Sequence, residues 1–138
     1  MKRRLLEIPV VAMLIMTLTV PVFAASKTLG VSEIDQNKTY WCWASCSEMI
    51  GKYYNSGSNR DQYAIVKKIK GNTDNQKGTI TNICDAIKYA SVDSVTFTSK
   101  STALSFNSCK TEIDDGDPFV VWLQGQNGSV SHVVVASG

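Results

Sequence analysis

One cysteine, one histidine and one glutamine in this chain could together hydrolyse an amide bond. Cys42 lies at the start of a stretch with helical periodicity, and His132 is the single histidine among 138 residues. A helix N-terminus favours an ionised sulfur, because its first N–H groups are unpaired and its dipole is positive there. A nearby imidazole can form an ion pair with that sulfur and later protonate a leaving amine. Gln36, six positions before Cys42, could donate its side-chain amide to an oxyanion, together with the backbone N–H of Cys42.

Each of these residues also has an ordinary structural interpretation. A histidine before three valines can be a plain surface or core residue, and a cysteine between two tryptophans can simply pack in a core. A glutamine in a polar loop usually has no chemical role. The combination and order of the three residues, rather than any one of them, indicate a site.

The elements that must position these residues are helices first and strands last. Apolar residues three and four apart, together with capping residues and terminating glycines, mark the helices. Alternating or continuous β-branched runs mark the strands. Helices are predicted at residues 41–54, 61–70, 79–90 and 105–114, and strands at 92–98, 118–123 and 132–136. A helical first half followed by a β second half predicts one α+β domain.

The last two strands are predicted to form an antiparallel hairpin. Residues 118–123 (PFVVWL) and 132–136 (HVVVA) are apolar and rich in β-branched side chains. The polar linker between them contains Asn127 and Gly128, which favour a tight turn. His132 would therefore begin the final strand and face the N-terminus of the first helix from a strand edge.

The first two dozen residues have the pattern of a secretory signal peptide. A basic start at residues 2–4 precedes an apolar stretch at 8–20, and the small residues Val22 and Ala24 occupy the −3 and −1 positions. We expect cleavage after Ala24, which leaves a mature domain at 25–138 and makes the protein secreted. A retained membrane anchor is the alternative, but the apolar stretch is shorter than the roughly 20 residues of a spanning helix.

Charge excludes two classes of partner. The chain has 14 basic and 12 acidic residues. Removal of the signal peptide takes away three basic residues and one acidic residue, which leaves eleven of each. A neutral surface without a basic run predicts no nucleic-acid partner and no membrane binding after signal cleavage. We expect a monomer.

Four cysteines fall in the exported part of the chain, namely Cys42, Cys46, Cys84 and Cys109. An even number of cysteines in a secreted protein can form two disulfides, and such pairing would abolish the site if it consumed Cys42. Cys42 and Cys46 share a helix face but are poorly placed to bridge each other. The cysteines and His132 lack the tight spacing of a zinc site, so we expect no metal and no cofactor.

The motifs around Cys42 and His132 resemble those of the papain-like cysteine peptidases. The stretch at 36–45 (QNKTYWCWAS) is similar to the nucleophile segment of that family, with a glutamine six positions before Cys-Trp-Ala. Residues 116–121 (GDPFVV) and 131–138 (SHVVVASG) are similar to the segments before and at the family's histidine. The resemblance covers residues 36–138. Its W-C-W-A form is closest to a bacterial branch that includes secreted effector proteases and bacteriocin-leader peptidases.

The resemblance implies a role for each candidate residue. Cys42 would be the nucleophile, His132 the general acid/base and Gln36 the oxyanion stabiliser. It also implies a helical half packed on an antiparallel β half with a cleft between them, a covalent thioester intermediate and a protein or peptide substrate. The candidates for the cleft walls are Trp41, Trp43 and Trp122.

The sequence departs from the family after the histidine. The family places an Asp or Asn on the next strand to fix the imidazole tautomer, and this sequence ends at Gly138. The upstream acids Asp114, Asp115 and Asp117 are not at the family's position. We therefore expect either a truncated chain or a shortened, inactive relative.

Three functions remain compatible with the sequence. The first is a secreted bacterial cysteine peptidase. The second is a cell-wall peptide amidase or transpeptidase of the same superfamily, which digestion of purified peptidoglycan against casein would distinguish. The third is an inactive secreted binding module with structural disulfides, in which Cys42 would react with iodoacetamide no faster than an ordinary thiol.

Overall fold

Four helices precede a two-stranded antiparallel sheet in the computed structural model, which describes residues 26–125 and 131–138. The elements are α1 (Cys42–Tyr54), α2 (Gln62–Lys70), α3 (Ile80–Ala90), α4 (Phe106–Asp115), β1 (Phe119–Gln124) and β2 (Ser131–Ala136). This confirms the predicted α+β organisation, with each helix beginning one residue later than predicted. The predicted signal peptide and the Asn127-Gly128 turn lie outside the described residues. None of the helices in these ranges is long and apolar enough to cross a membrane.

Helix α1 lies at the centre of the core. It contacts α2, α3 and β2, and Trp43, Ile50 and six other residues along it are buried. Its contact with α3 is especially close at Gly51, where a Cβ atom would lie 2.4 Å from the Cβ of Ala90. A glycine is therefore required for the two helices to approach this closely.

Helices α2, α3 and α4 are each capped by a side chain at the N-terminus. Asp61 accepts a hydrogen bond from the backbone N–H of Ala64, and Ser105 does the same for Ser108. Helix α3 has a full capping box, in which Thr79 and Asn82 satisfy each other's backbone N–H groups. Helix α1 differs, because its N-cap residue makes no side-chain capping hydrogen bond.

The two strands predicted at 118–123 and 132–136 form at 119–124 and 131–136 and pair antiparallel. Phe119 pairs with Ala136 at one end, and Leu123 pairs with His132 near the other. Val133, next to His132, is 3% exposed and belongs to the same hydrophobic core as α1. Burial of Val133 therefore fixes the strand backbone next to His132 on the helical half, while the His132 side chain stays exposed.

The prediction of a strand at residues 92–98 is wrong. Val92 and Asp93 have positive φ angles of 59° and 58°, and the segment after them has no regular secondary structure. The alternating pattern does correspond to burial, because Val95 and Phe97 pack partly buried against the core. In the described part of the chain, however, the sheet contains only β1 and β2. Alternate burial without a neighbouring strand to supply hydrogen bonds produces a packed loop, not a strand.

Candidate active site

Cys42 is the first residue of α1 and is partly exposed. The N-cap residue Trp41 offers no side-chain acceptor, and the first turn contains no acidic residue. Trp41 instead accepts hydrogen bonds at its carbonyl from the N–H groups of Ala44 and Ser45. A helix terminus without a capping side chain leaves its positive end available to a negative charge, and Cys42 is the first residue at this end.

The chain around the start of α1 is fixed by two buried indoles. Trp41 and Trp43 are 0% and 1% exposed, and their Nε1 atoms donate to the carbonyls of Asp74 and Gln76 at 3.0 and 3.1 Å. Both acceptors belong to the α2–α3 loop, residues 72–79. The loop is thereby tied to the same end of α1 that carries Cys42.

Gly78 lets this α2–α3 loop lie directly against α1. A Cβ atom at Gly78 would be 2.4 Å from Cγ of Trp43, which is far inside van der Waals contact. Lys38 adds a further tie, since its Nζ donates to the carbonyl of Thr73 at 2.6 Å. The loop wall beside Cys42 therefore depends on a glycine at 78 and an indole at 43.

The packing of β2 on α1 brings His132 into the same grooves as Cys42. The Sγ of Cys46, one turn after Cys42, donates to the carbonyl of Val133 at 3.3 Å. This buried hydrogen bond connects the helix to the residue next to His132. As a result, Cys42 and His132 line the same two grooves, as the proposed pairing of thiol and imidazole requires.

The two grooves meet at Cys42 and His132 and differ in their other walls. The first, which we call the loop groove, has a volume of about 390 Å³. Its other lining residues include Tyr40, Trp43, Lys77, Gly78 and Trp122. The second, which we call the strand groove, has a volume of about 470 Å³ and runs between residues 31–36 and strand β2. Each groove is large enough for peptide side chains.

Gln36 lines the strand groove, with its amide turned toward its own loop. Its Nε2 donates to the carbonyls of Lys38 and Thr39, both at 2.9 Å. These two bonds use both amide hydrogens and shape the turn that leads into α1. To donate to an oxyanion, the exposed amide would exchange one of these carbonyls for the substrate oxygen.

The three indoles expected to line the cleft do not behave alike. Trp43 and Trp122 line the loop groove. Trp41 is wholly buried and lines neither groove, so its predicted place in the cleft wall is wrong. It fills the core beneath the start of α1 and stacks edge-to-face with Tyr63 at 4.9 Å.

Lys77 and Gly78 line the loop groove, although nothing in the sequence marks them as groove residues. Both lie between the helices predicted at 61–70 and 79–90, where the sequence predicts no regular element. Their role depends on the hydrogen bonds from the two indoles, which are long-range contacts without a sequence signal.

Two of the acids upstream of the histidine have partners elsewhere, because Asp117 accepts from the Tyr54 hydroxyl and Asp114 pairs with Lys110.

Comparison with known protein families identifies the family to which the chain belongs. Residues 28–138 match the family described as the Peptidase_C39 like family. The chain belongs to this family. That membership confirms the resemblance to the papain-like cysteine peptidases and suggests cysteine peptidase activity on a protein or peptide substrate. Searches of curated proteins and of solved structures gave no match.

For a member of the Peptidase_C39 like family, the state of the thiols is central. All four cysteines are free, so Cys42 is not held in a disulfide. Burial, and to a smaller extent the nearby Cys42 sulfur, raise the pKa of the Cys46 thiol to about 12, against a lowering effect of a backbone hydrogen bond. Burial and the charge of Asp85 also raise the pKa of Cys84.

No group of three or more His, Cys, Asp or Glu side chains in the described ranges could hold a metal ion.

The raised pKa of Cys46 predicts selective alkylation in this member of the Peptidase_C39 like family. At pH 8 a thiol with a pKa of about 12 is ionised in roughly one molecule in ten thousand, and only the thiolate reacts. We expect iodoacetamide to modify Cys46 at least about a hundredfold more slowly than Cys42 in the folded protein. Peptide mapping by mass spectrometry measures both rates.

Urea-unfolded protein is the control for this labelling. Unfolding removes the burial, so Cys46 should then react like an ordinary cysteine. Equal labelling of Cys46 and Cys42 in the folded protein would contradict the prediction.

Proposed function

We propose that the protein is a cysteine peptidase that cleaves peptide bonds with Cys42 as nucleophile and His132 as general acid/base. The observation that carries this proposal is the shared lining of both grooves by these two residues, with Cys42 at the uncapped start of α1. The family match supports the same class of reaction. A peptide that spans both grooves would pass directly over the sulfur.

The chemistry follows from the groups at that junction. The Cys42 sulfur, its proton held by His132, attacks the carbonyl carbon of the substrate and forms a C–S bond. The negative charge that develops on the carbonyl oxygen is stabilised by the backbone N–H of Cys42 and the amide of Gln36. Collapse breaks the C–N bond, and the His132 imidazolium gives its proton to the departing amine.

Water completes the reaction. His132, now neutral, takes a proton from a water molecule as that water attacks the thioester carbonyl. The C–S bond breaks, the carboxylic acid product leaves, and the proton returns to the sulfur and imidazole pair. The exposure of His132 supports this step, because both grooves are open to solvent at the imidazole.

Export of the protein is part of the proposal. Its support is the basic start, apolar stretch and small-residue cleavage pattern of residues 1–24. We propose a secreted bacterial enzyme that begins at Ala25 once the signal peptide is removed. Expression of the full chain in a bacterium should give protein outside the cytoplasm whose N-terminal sequence begins at Ala25, whereas a retained start at Met1 would contradict export.

Replacement of the nucleophile tests the proposed activity most directly. We expect Cys42→Ala to lower the hydrolysis of casein by at least about a thousandfold, because no other group replaces the sulfur. The controls are Cys84→Ala and Cys109→Ala, which remove thiols from α3 and α4 outside both grooves. These variants should keep wild-type activity per folded molecule, and a Cys42→Ala protein with unchanged activity would overturn the assignment.

Gln36 should contribute to kcat more than to substrate binding. Loss of one oxyanion donor lowers kcat by a factor of roughly 10² to 10³. We therefore expect Gln36→Ala to lower kcat by about this factor and to leave KM little changed. Because Gln36 also shapes the loop before α1, thermal unfolding of the variant must be measured alongside its kinetics. The exposed Gln124 on β1 supplies the matched control, Gln124→Ala. A Gln36→Ala enzyme that folds normally with unaltered kcat would exclude the role.

A further inference from the structure

The two grooves carry opposite fixed charges. Lys77 is the fixed charge of the loop groove, whose described lining contains no Asp or Glu. Glu33 and Asp35 line the strand groove, whose described lining contains no Lys or Arg. The sign of the charge therefore changes across the junction that Cys42 and His132 form.

The charge of Lys77 is available and held in place. Lys77 is exposed, and its Nζ lies 5.3 Å from the centroid of the Tyr40 ring. The only two ion pairs among the described residues, Glu48 with Lys52 and Asp114 with Lys110, do not include it. The residues on either side of it are anchored on α1, as the contacts of Gln76 and Gly78 with the Trp43 indole show. A cation over a ring is attracted to it, which further limits its range.

The acidic side of the site is anchored in the same way. Glu33 and Asp35 are exposed, and the backbone next to them is fastened to two helices. The carbonyl of Asp35 accepts from Nε2 of Gln62 in α2 at 2.8 Å, and the carbonyl of Ile34 accepts from the hydroxyl of Ser45 in α1. The two carboxylates are thus presented from a fixed wall and not from a free tail.

We infer that the enzyme selects peptides of mixed charge, with an acidic side chain on the Lys77 side of the cleaved bond and a basic side chain on the side of Glu33 and Asp35. This inference rests on the proposed function, because it assigns the substrate class of the same site. A substrate with this pattern places each charge beside its opposite. The reversed pattern places like charges together in both grooves.

The size of the effect follows from exposure. Exposed ion pairs contribute modestly, so each correct charge should favour cleavage by about two- to fivefold, and the two together by their product. The preference should weaken between about 0.05 M and about 0.5 M NaCl, because salt screens exposed charges. A shape-based preference would not respond to salt in this way.

A synthetic peptide library cleaved by the wild-type enzyme and sequenced by mass spectrometry tests the inference. We expect Asp and Glu to be enriched on one side of the cleaved bond and Lys and Arg on the other, and the aligned sites give the direction. Lys77→Gln should remove the acidic enrichment only. The double variant Glu33→Gln, Asp35→Asn should remove the basic enrichment only. The controls Lys88→Gln and Asp85→Asn change exposed charges on α3 outside both grooves and should leave both enrichments intact.

The outcomes separate this inference from the proposed function. No cleavage by the wild-type enzyme, or cleavage that persists in Cys42→Ala, would count against the proposed function. Cleavage that depends on Cys42 but shows no charge preference would overturn the mixed-charge inference and leave the peptidase intact. A preference that survives both Lys77→Gln and the double acidic variant would also overturn it, since other residues would then be responsible.

Discussion

The close contact between the start of α1 and the α2–α3 loop is the constraint on which the rest of the site depends. A helix normally satisfies its first N–H groups with a capping side chain, as the other three helices do. Here the cap residue is Trp41, whose side chain does not cap, and the α2–α3 loop holds the helix end in place. The Trp41 and Trp43 side chains donate to the loop carbonyls, and Gly78 packs against the Trp43 ring. The helix end is therefore rigid without losing its positive field to a cap.

That arrangement also divides the surface around the sulfur. The α2–α3 loop forms one wall, and residues 31–36 form another, with the hairpin completing both grooves. Each wall is fixed to the helical core by its own hydrogen bonds. The positive charge of one wall and the negative charges of the other therefore lie on separate segments of the chain. Lys77 and the Glu33/Asp35 pair can therefore be altered independently by mutation. Cys42, the proposed nucleophile, lies at the junction between them.

Local sequence signals predicted most of the elements, because caps and apolar periodicity act over a few residues. Thr79, for example, begins α3 by capping it with its side chain, and Gly116 ends α4 by adopting a left-handed backbone conformation. The same reasoning wrongly predicted a strand at 92–98. A strand also needs a neighbouring strand to pair with, and alternation of apolar and polar residues does not show whether one is present. The candidate residues Cys42 and His132 were predictable from type and order. The orientation of Gln36 and the place of Lys77 were not, because both follow from contacts between distant segments.

The Cys46 to Val133 hydrogen bond has a consequence for the order of events during folding. The sulfur and the imidazole of the proposed pair come from opposite ends of the domain and meet only when β2 packs on α1. A nascent chain in which α1 and α3 have already associated, but the hairpin has not, holds a thiol with no proton acceptor beside it. On the proposed assignment, competence to cleave cannot precede completion of the fold, so the immature chain is harmless to other proteins around it.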